Sequence, residues 1–256
     1  MIDMYFNTSL AEGYKSGAQI TRVLSEDWVS NNVFCPCCGY SHIAKLDNNM
    51  PVADMQCENC GEIFELKSKK GKIGKKIVDG AYDTMIKRIR SLNNPELFVL
   101  EYTPDFAVTD LTLIPKFFFV PNIIEKRNPL PPHARRAGWT GCNILYKRIP
   151  EQGRIPIIRD STFIDKKIVV EKYNNVKRIQ TNNIDKRGWL FDVLNCVNSL
   201  PGECFTLKDM YKFAGALGEL HKDNHNIEAK IRQQLQILRD KKFIEFVERG
   251  VYKKLV

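Results

Sequence analysis

Apolar residues recur at three- and four-residue spacing between positions 9 and 30, where Leu10 and Tyr14 are followed by Ile20, Val23, Leu24 and Trp28. That period predicts one helix. Between residues 54 and 70 the period shortens to two. Phe64 and Leu66 point to one side of a strand, and Glu65 and Lys67 to the other. Ile77, Ala81, Met85 and Ile89 return to helical spacing. The segments LFVLEY, FAVTDLTLIP and FFFV are apolar on both faces and predict central strands. RNPLPPHARRAGWTGCN, rich in Pro, Gly and charge, predicts no regular structure.

A composition shift at TNNIDKRG places a domain boundary at about residue 184, dividing the chain into 1–183 and 184–256. Beyond it, WLFDVLNCVNSL predicts one amphipathic helix. TLKDMYKFAGAL predicts a second, with Thr206 and Asp209 as an imperfect capping box. A third, NIEAKIRQQLQILRD, is capped by Asn226 or Asn224 and carries Ile227, Ile231, Leu235 and Leu238 as its inner stripe. Lys230, Arg232, Gln233, Gln234 and Gln236 then fall on its other side. Two strands around Glu248, Arg249 and Gly250 close the chain. Three helices and a hairpin make a winged-helix layout, in which the third helix enters the major groove and its glutamines and arginine match purine edges. A plain helical interaction module is the competing reading.

Charge sharpens this picture. The chain of 256 residues has a net charge of +9 and an isoelectric point near 9.1. That balance favours a polyanion, nucleic acid ahead of membrane because no basic amphipathic anchor is present. No apolar run has the length of a signal peptide's core or of a membrane span, so the expectation is a cytoplasmic protein. A monomer in solution is a separate expectation. Its eight cysteines are then reduced. Cys35 and Cys38 form one CxxC pair, Cys57 and Cys60 another, and eighteen residues separate Cys38 from Cys57. That spacing fits a closed, structural four-thiolate Zn2+ site, with Cys37 as a bystander.

Catalytic chemistry concentrates beside the second CxxC. Asp54, followed by Glu65-x-Lys67 across a hairpin, can hold a hard divalent cation such as Mg2+ on two carboxylates with an ammonium alongside. Such a cation polarises a phosphoryl oxygen and lowers the pKa of bound water, and Lys67 can orient or deprotonate that water. The run KSKKGKIGKK that follows would guide a phosphate backbone towards the site. The basic loop with Arg135, Arg136 and Trp139 suits DNA contact, the arginines meeting phosphates or guanines and the indole offering a flat face. The opposing readings are a surface ion pair between Glu65 and Lys67, and a tryptophan that simply packs in the core.

Several blocks carry a closer likeness: SEDWV, PVAD, FELKSKKG, DGAY, HARRAGW, GCNI, RGW, LKDMYKF, and KIRQQLQILRDK with IEF. Through them the chain resembles, nearly end to end, the DpnI-type methyl-directed restriction endonucleases. The resemblance implies an α/β PD-(D/E)xK nuclease core with an embedded zinc site, followed by a winged helix. It also implies double-stranded DNA carrying N6-methyladenine in GATC as substrate, read by both halves. On matching motifs Asp54 and Glu65 would be the metal-holding acids and Lys67 the lysine, with Ala53 where a proline is usual. A non-catalytic, zinc-containing winged-helix regulator is the alternative from another class.

Overall fold

The computed structural model describes residues 3–47, 53–91, 94–180 and 183–255. Pro51 and Val52 of the PVAD block, and Thr181 and Asn182 of the boundary stretch, lie outside them. The first half opens with helix α1 (Gly17–Asn32) and the short strands β1 (Ala44–Lys45) and β2 (Met55–Gln56). Then come β3 (Ile63–Lys70), β4 (Ile77–Ala81), α2 (Tyr82–Ser91), β5 (Glu96–Tyr102) and β6 (Val108–Ile114). It continues through β7 (Ile124–Lys126), β8 (Gly141–Ile144), β9 (Ile155–Arg159), β10 (Thr162–Phe163) and α3 (Lys166–Lys177). The second half consists of α4 (Ile184–Ser199), β11 (Cys204–Thr206), α5 (Leu207–Tyr211), α6 (Ala214–Leu220), α7 (Ile227–Asp240), β12 (Ile244–Glu248) and β13 (Val251–Lys254).

The main sheet runs β1-β2-β3-β5-β6-β9-β10. β5 sits at its centre and is buried along nearly its whole length, as its unbroken apolar run requires. Phe64 of β3 and Phe98 of β5 stack at 4.8 Å in the core. β3 and β5 are parallel, so the chain must cross over between them, and β4 with α2 makes that crossover. β4 pairs instead with β8, and β8 with β7, in a separate small sheet. In the second half α4 to α7 are completed by a sheet of order β11-β13-β12.

Several expectations need correction. The helix foreseen over 9–30 is a short 3-10 turn, Thr8–Ala11, and then α1, with Gly13 at φ +87° in the break. Ile77 and Ala81 belong to a strand, not to the helix that carries Met85 and Ile89, because Gly80 opposes helix and Asp79 is held inward. FFFV is not a strand. Prolines 115 and 121 bracket it, Lys116–Phe118 turns as a 3-10 helix, and all four side chains are buried. Phe118 stacks on Phe191 of α4 at 4.6 Å, and Arg187 donates to the Phe117 carbonyl at 3.0 Å. The apolar run therefore joins the two halves. Gly141 to Asn143, the end of the segment expected to lack regular structure, belong to strand β8. The second predicted helix breaks at Lys212–Phe213 into α5 and α6, while its capping box is complete. Asn226 makes no side-chain cap on α7, whereas Asn224 Oδ1 accepts from the Asn226 N–H.

Glu96, at the start of β5, is fully buried. Its carboxylate accepts from Tyr173 Oη at 2.8 Å and from the Lys116 N–H at 2.9 Å. Burial pushes its pKa up to about 7, against the lowering by the Lys116 N–H. Between an ordinary glutamate pKa and about 7 the folded state keeps a proton that the unfolded chain releases. Stability from this group is therefore full at low pH and is lost as pH rises through that window, by roughly 3–4 kcal/mol. Urea denaturation should show the protein more stable near pH 5 than near pH 8 from this source, with Glu96→Gln flattening the difference. An unchanged pH profile in the variant would contradict the assignment.

Candidate active site and zinc centre

The site is built on the β2–β3 hairpin. Met55 pairs with Phe64 and Gln56 with Ile63, and both Met55 and Phe64 are fully buried. Buried on one face, the hairpin has a fixed register, since a slip by one residue would expose both. Asp54 and Glu65 consequently flank the Met55–Phe64 pair at the base. The Asp54 N–H donates to the Phe64 carbonyl at 2.9 Å, and Asp54 Oδ2 accepts from the Leu66 N–H at 2.7 Å. The acid is thus tied to the strand that carries the other two candidates.

Both CxxC pairs are followed by glycine, Gly39 at φ +78° and Gly61 at φ +73°. Each loop closes the same way. Gly39 N–H donates to Cys35 O at 2.7 Å, and Gly61 N–H to Cys57 O at 2.8 Å. The sulfurs of Cys35, Cys38, Cys57 and Cys60 all lie within 4.8 Å of one another, with Cys35–Cys60 and Cys38–Cys57 at 3.7 Å. A tetrahedral zinc with Zn–S bonds of about 2.3 Å needs sulfurs roughly 3.8 Å apart. The four thiols fit that ion, and Cys37 stands outside the group as expected. The second pair forms the tip of the hairpin whose base carries Asp54 and Glu65.

Glu65, Lys67 and Asp54 line one cleft of about 760 Å³, together with Ser25, Glu26 and Lys69. Lys67 Nζ lies 2.6 Å from Glu65 Oε1 and 2.7 Å from Asp79 Oδ1. Burial alone would depress the ammonium, but Glu65 and Asp79 outweigh it and hold its pKa above the usual lysine range. Glu65 is shifted upward, chiefly by burial, with Lys67 opposing and Asp79 adding. Glu26 is also raised, mainly by burial, with Arg22 opposing from 2.8 Å and Asp54 contributing. Asp54 and Glu65 raise each other's cost of ionisation in this cleft, and a divalent cation held between them would relieve that repulsion.

Two protein-family matches cover the chain. Residues 2–182 match the Dam-replacing family, the DpnI type, and residues 185–254 match the Dam-replacing HTH domain. The chain belongs to the Dam-replacing family. Family membership and the helix-turn-helix match support a modification-dependent DNA nuclease. Among the described residues, no helix is long and apolar enough to cross a membrane.

Two acids of this family member's site were not found from sequence: Glu26, which lines the cleft, and Asp79, which touches Lys67 without lining it. Asp79 was hidden by the helical reading of Ile77 and Ala81; Gly80 argues against a helix there, but nothing in IVDGA marks a strand with Asp79 turned inward. Glu26 lies on α1 beside Ser25, and nothing in its spacing separates it from a solvent acid. The basic run is only partly free: Lys72 pairs with Asp110 at 2.7 Å and Lys76 with Glu125 at 2.6 Å, while Lys69, Lys70 and Lys75 are exposed and outside these ion pairs.

The basic loop is a hairpin arm. Arg127 N–H donates to Gly141 O, Leu130 N–H to Trp139 O, and Gly138 N–H to Leu130 O, which prolongs the β7–β8 pair outward. Arg135 is exposed, the Arg136 guanidinium sits 4.8 Å from the centre of the Trp139 ring, and Trp139 is half-buried. A Cβ at position 141 would come within 2.9 Å of the indole, so glycine gives the ring its seat. On α7, Arg232, Gln233 and Gln236 are exposed and Lys230 is half-buried. Lys230 Nζ donates to Gln233 Oε1 at 2.8 Å, and Arg232 bonds the Tyr211 hydroxyl. Gln234 is a correction. It is 1% exposed and faces inward with Ile231, Leu235 and Leu238, so it does not belong to the outward set. It sits three residues after Ile231, which is the same helix face.

Proposed function

We propose that the chain is a methylation-dependent restriction endonuclease that hydrolyses double-stranded DNA at GATC containing N6-methyladenine. On this reading residues 1–183 are a PD-(D/E)xK nuclease domain and 184–256 a winged-helix domain, and the protein acts as a monomer. The observation that carries it is the hairpin that sets Asp54 against Glu65 with Lys67 in the same cleft, in a chain of this family. Asp54 and Glu65 would hold Mg2+, which when bound supplies Lewis-acid polarisation of the phosphoryl oxygen and a more acidic water. Asp54 keeps its orientation through the Leu66 N–H. Lys67, held protonated between two acids, places positive charge against the charge that builds on the phosphoryl oxygens. Its raised pKa favours this electrostatic role over that of a base. A pure regulator has no use for such a set inside a cleft. Plasmid incubated with the protein and Mg2+ should be cut when it comes from an adenine-methylating host; no cutting of either plasmid at any Mg2+ concentration would favour the regulator.

Reading a methyl group needs more than the methyl itself. Burying one contributes only about 0.8 kcal/mol, roughly a fourfold preference. A wider margin requires methyls on both strands, polar groups left unpaired on unmodified DNA, and two reading surfaces. The arm with Arg135, Arg136 and Trp139 and the outward set Lys230, Arg232, Gln233 and Gln236 are those surfaces. Trp139→Ala should narrow the ratio of cleavage on methylated over unmethylated duplex while changing non-specific affinity little. Gln236→Ala should weaken specific binding by about 1–3 kcal/mol at fixed salt. Competition binding in Ca2+ and cleavage in Mg2+ check both, and an unchanged ratio in Trp139→Ala would remove the arm from recognition. The full chain is the right material, because Phe191 and Arg187 of α4 are buried against the first half.

A further inference from the structure

We propose that Asp79 is the positioning residue of Lys67, the group that keeps the ammonium aimed into the cleft when Glu65 is committed to a cation. The proposal rests on the catalytic reading of Lys67 given above. Two acids hold Lys67 at nearly equal distance, Glu65 at 2.6 Å and Asp79 at 2.7 Å. They are not equivalent. Glu65 shares β3 with Lys67, lines the cleft and belongs to the pair assigned to the metal. The Asp79 side chain is 6% exposed and comes from β4, a strand of the other sheet. Once a cation draws on Glu65, the ammonium keeps one undivided partner.

Asp79 is itself fixed in place. Its Oδ1 accepts from the Gly80 N–H at 2.7 Å, and the β4–β8 register is irregular between Asp79 and Ala81. An irregularity of this kind re-aims a side chain, here towards Lys67. A buried carboxylate without its cation costs far more than an exposed one, so the pair holds together. Asp79 lies opposite Cys142, one residue from the Gly141 on which Trp139 rests. Lys67 is thereby tied to the sheet that bears the recognition arm.

The alternative role, a third acid on the metal, predicts a different result. Single-turnover cleavage of a methylated duplex would be followed against Mg2+ concentration for full-length wild type, Lys67→Met, Asp79→Asn and Asp79→Glu. Specific binding in Ca2+, zinc content and melting would be measured in parallel. Positioning predicts that Asp79→Asn lowers the rate at saturating Mg2+ by about tenfold to a hundredfold, the range set by losing one charge-assisted hydrogen bond. The Mg2+ midpoint and Ca2+ binding should stay as in wild type. A midpoint moved to higher Mg2+ with the full rate regained at saturation would make Asp79 a metal ligand and overturn the proposal, as would an unaltered rate. Should Asp79→Asn lose zinc or cooperative melting, Asp79→Glu decides: the charge remains but the carboxylate moves by one methylene, so a lowered saturating rate at an unmoved midpoint supports positioning, and a full rate or a moved midpoint overturns it. Lys67→Met cutting as fast as wild type would instead defeat the catalytic reading of the lysine.

Discussion

Asp54→Asn is expected to eliminate cleavage, by about a thousandfold or more, while specific DNA binding in Ca2+ remains close to wild type. Losing one of two carboxylates on a catalytic cation removes several kcal/mol of transition-state stabilisation, and each 1.36 kcal/mol is about tenfold in rate. Asparagine is the informative substitution here. Asp54 Oδ2 accepts from the Leu66 N–H at 2.7 Å, and an amide oxygen can keep that bond. Alanine would leave the N–H without its partner beside Glu65 and Lys67 and so confuse a lost ligand with a displaced strand. Asp54→Ala should therefore be equally inactive but less stable than Asp54→Asn. Binding that disappears in step with cutting in the asparagine variant would show that the acid serves recognition or folding rather than the cation.

Removing zinc should have an effect of similar size for a different reason. Cys60→Ser is expected to yield protein without stoichiometric zinc, with a non-cooperative or strongly lowered melting transition and no cleavage. Structural zinc contributes folding free energy directly, on the order of 10 kcal/mol in small zinc-binding peptides, against a typical domain stability of about 5–15 kcal/mol. The geometry explains why activity falls with it. Cys57 and Cys60 form the tip of the hairpin, and Asp54 and Glu65 its base, so loosening the tip releases the Met55–Phe64 register that sets the two acids opposite each other. Cys37→Ser should be far milder, since its sulfur lies outside the four-thiol group. Metal analysis, thermal melting and cleavage on the same preparations check this. Full zinc and full activity in Cys60→Ser would rule out a four-cysteine structural site.

The parts of the fold legible in the sequence were those with local causes. The twin Cys-x-x-Cys-Gly loops, the alternation over Phe64 to Lys67, the solid apolar run of β5 and the inner stripe of α7 each follow from periodicity or ligand spacing. What was not legible depended on distant partners. FFFV carries β propensity on every residue, but flanking prolines and the burial of Phe118 against Phe191 override it. Gln234 reads as one polar residue among several, yet helical phase turns it inward. The segments of β9 and α3 are not foreseen from periodicity, although Asp165 caps α3 through the Lys167 N–H. At the site, Asp54, Glu65 and Lys67 could be grouped because they lie on one hairpin. Asp79 could not, because it reaches Lys67 from a strand of another sheet, and no period along the chain records that approach.

The most direct measurement compares single-turnover cleavage of three matched duplexes that differ only in the adenines of one GATC site: unmethylated, methylated on one strand, and methylated on both. Protein concentration, Mg2+ and salt are held fixed, and product strands are resolved on a denaturing gel. The account predicts cleavage of the fully methylated duplex at that site, a margin over the unmethylated duplex well beyond the fourfold that one buried methyl supplies, and no cleavage of any duplex by Asp54→Asn. Equal cutting of all three duplexes, or cutting that survives in Asp54→Asn, would contradict it.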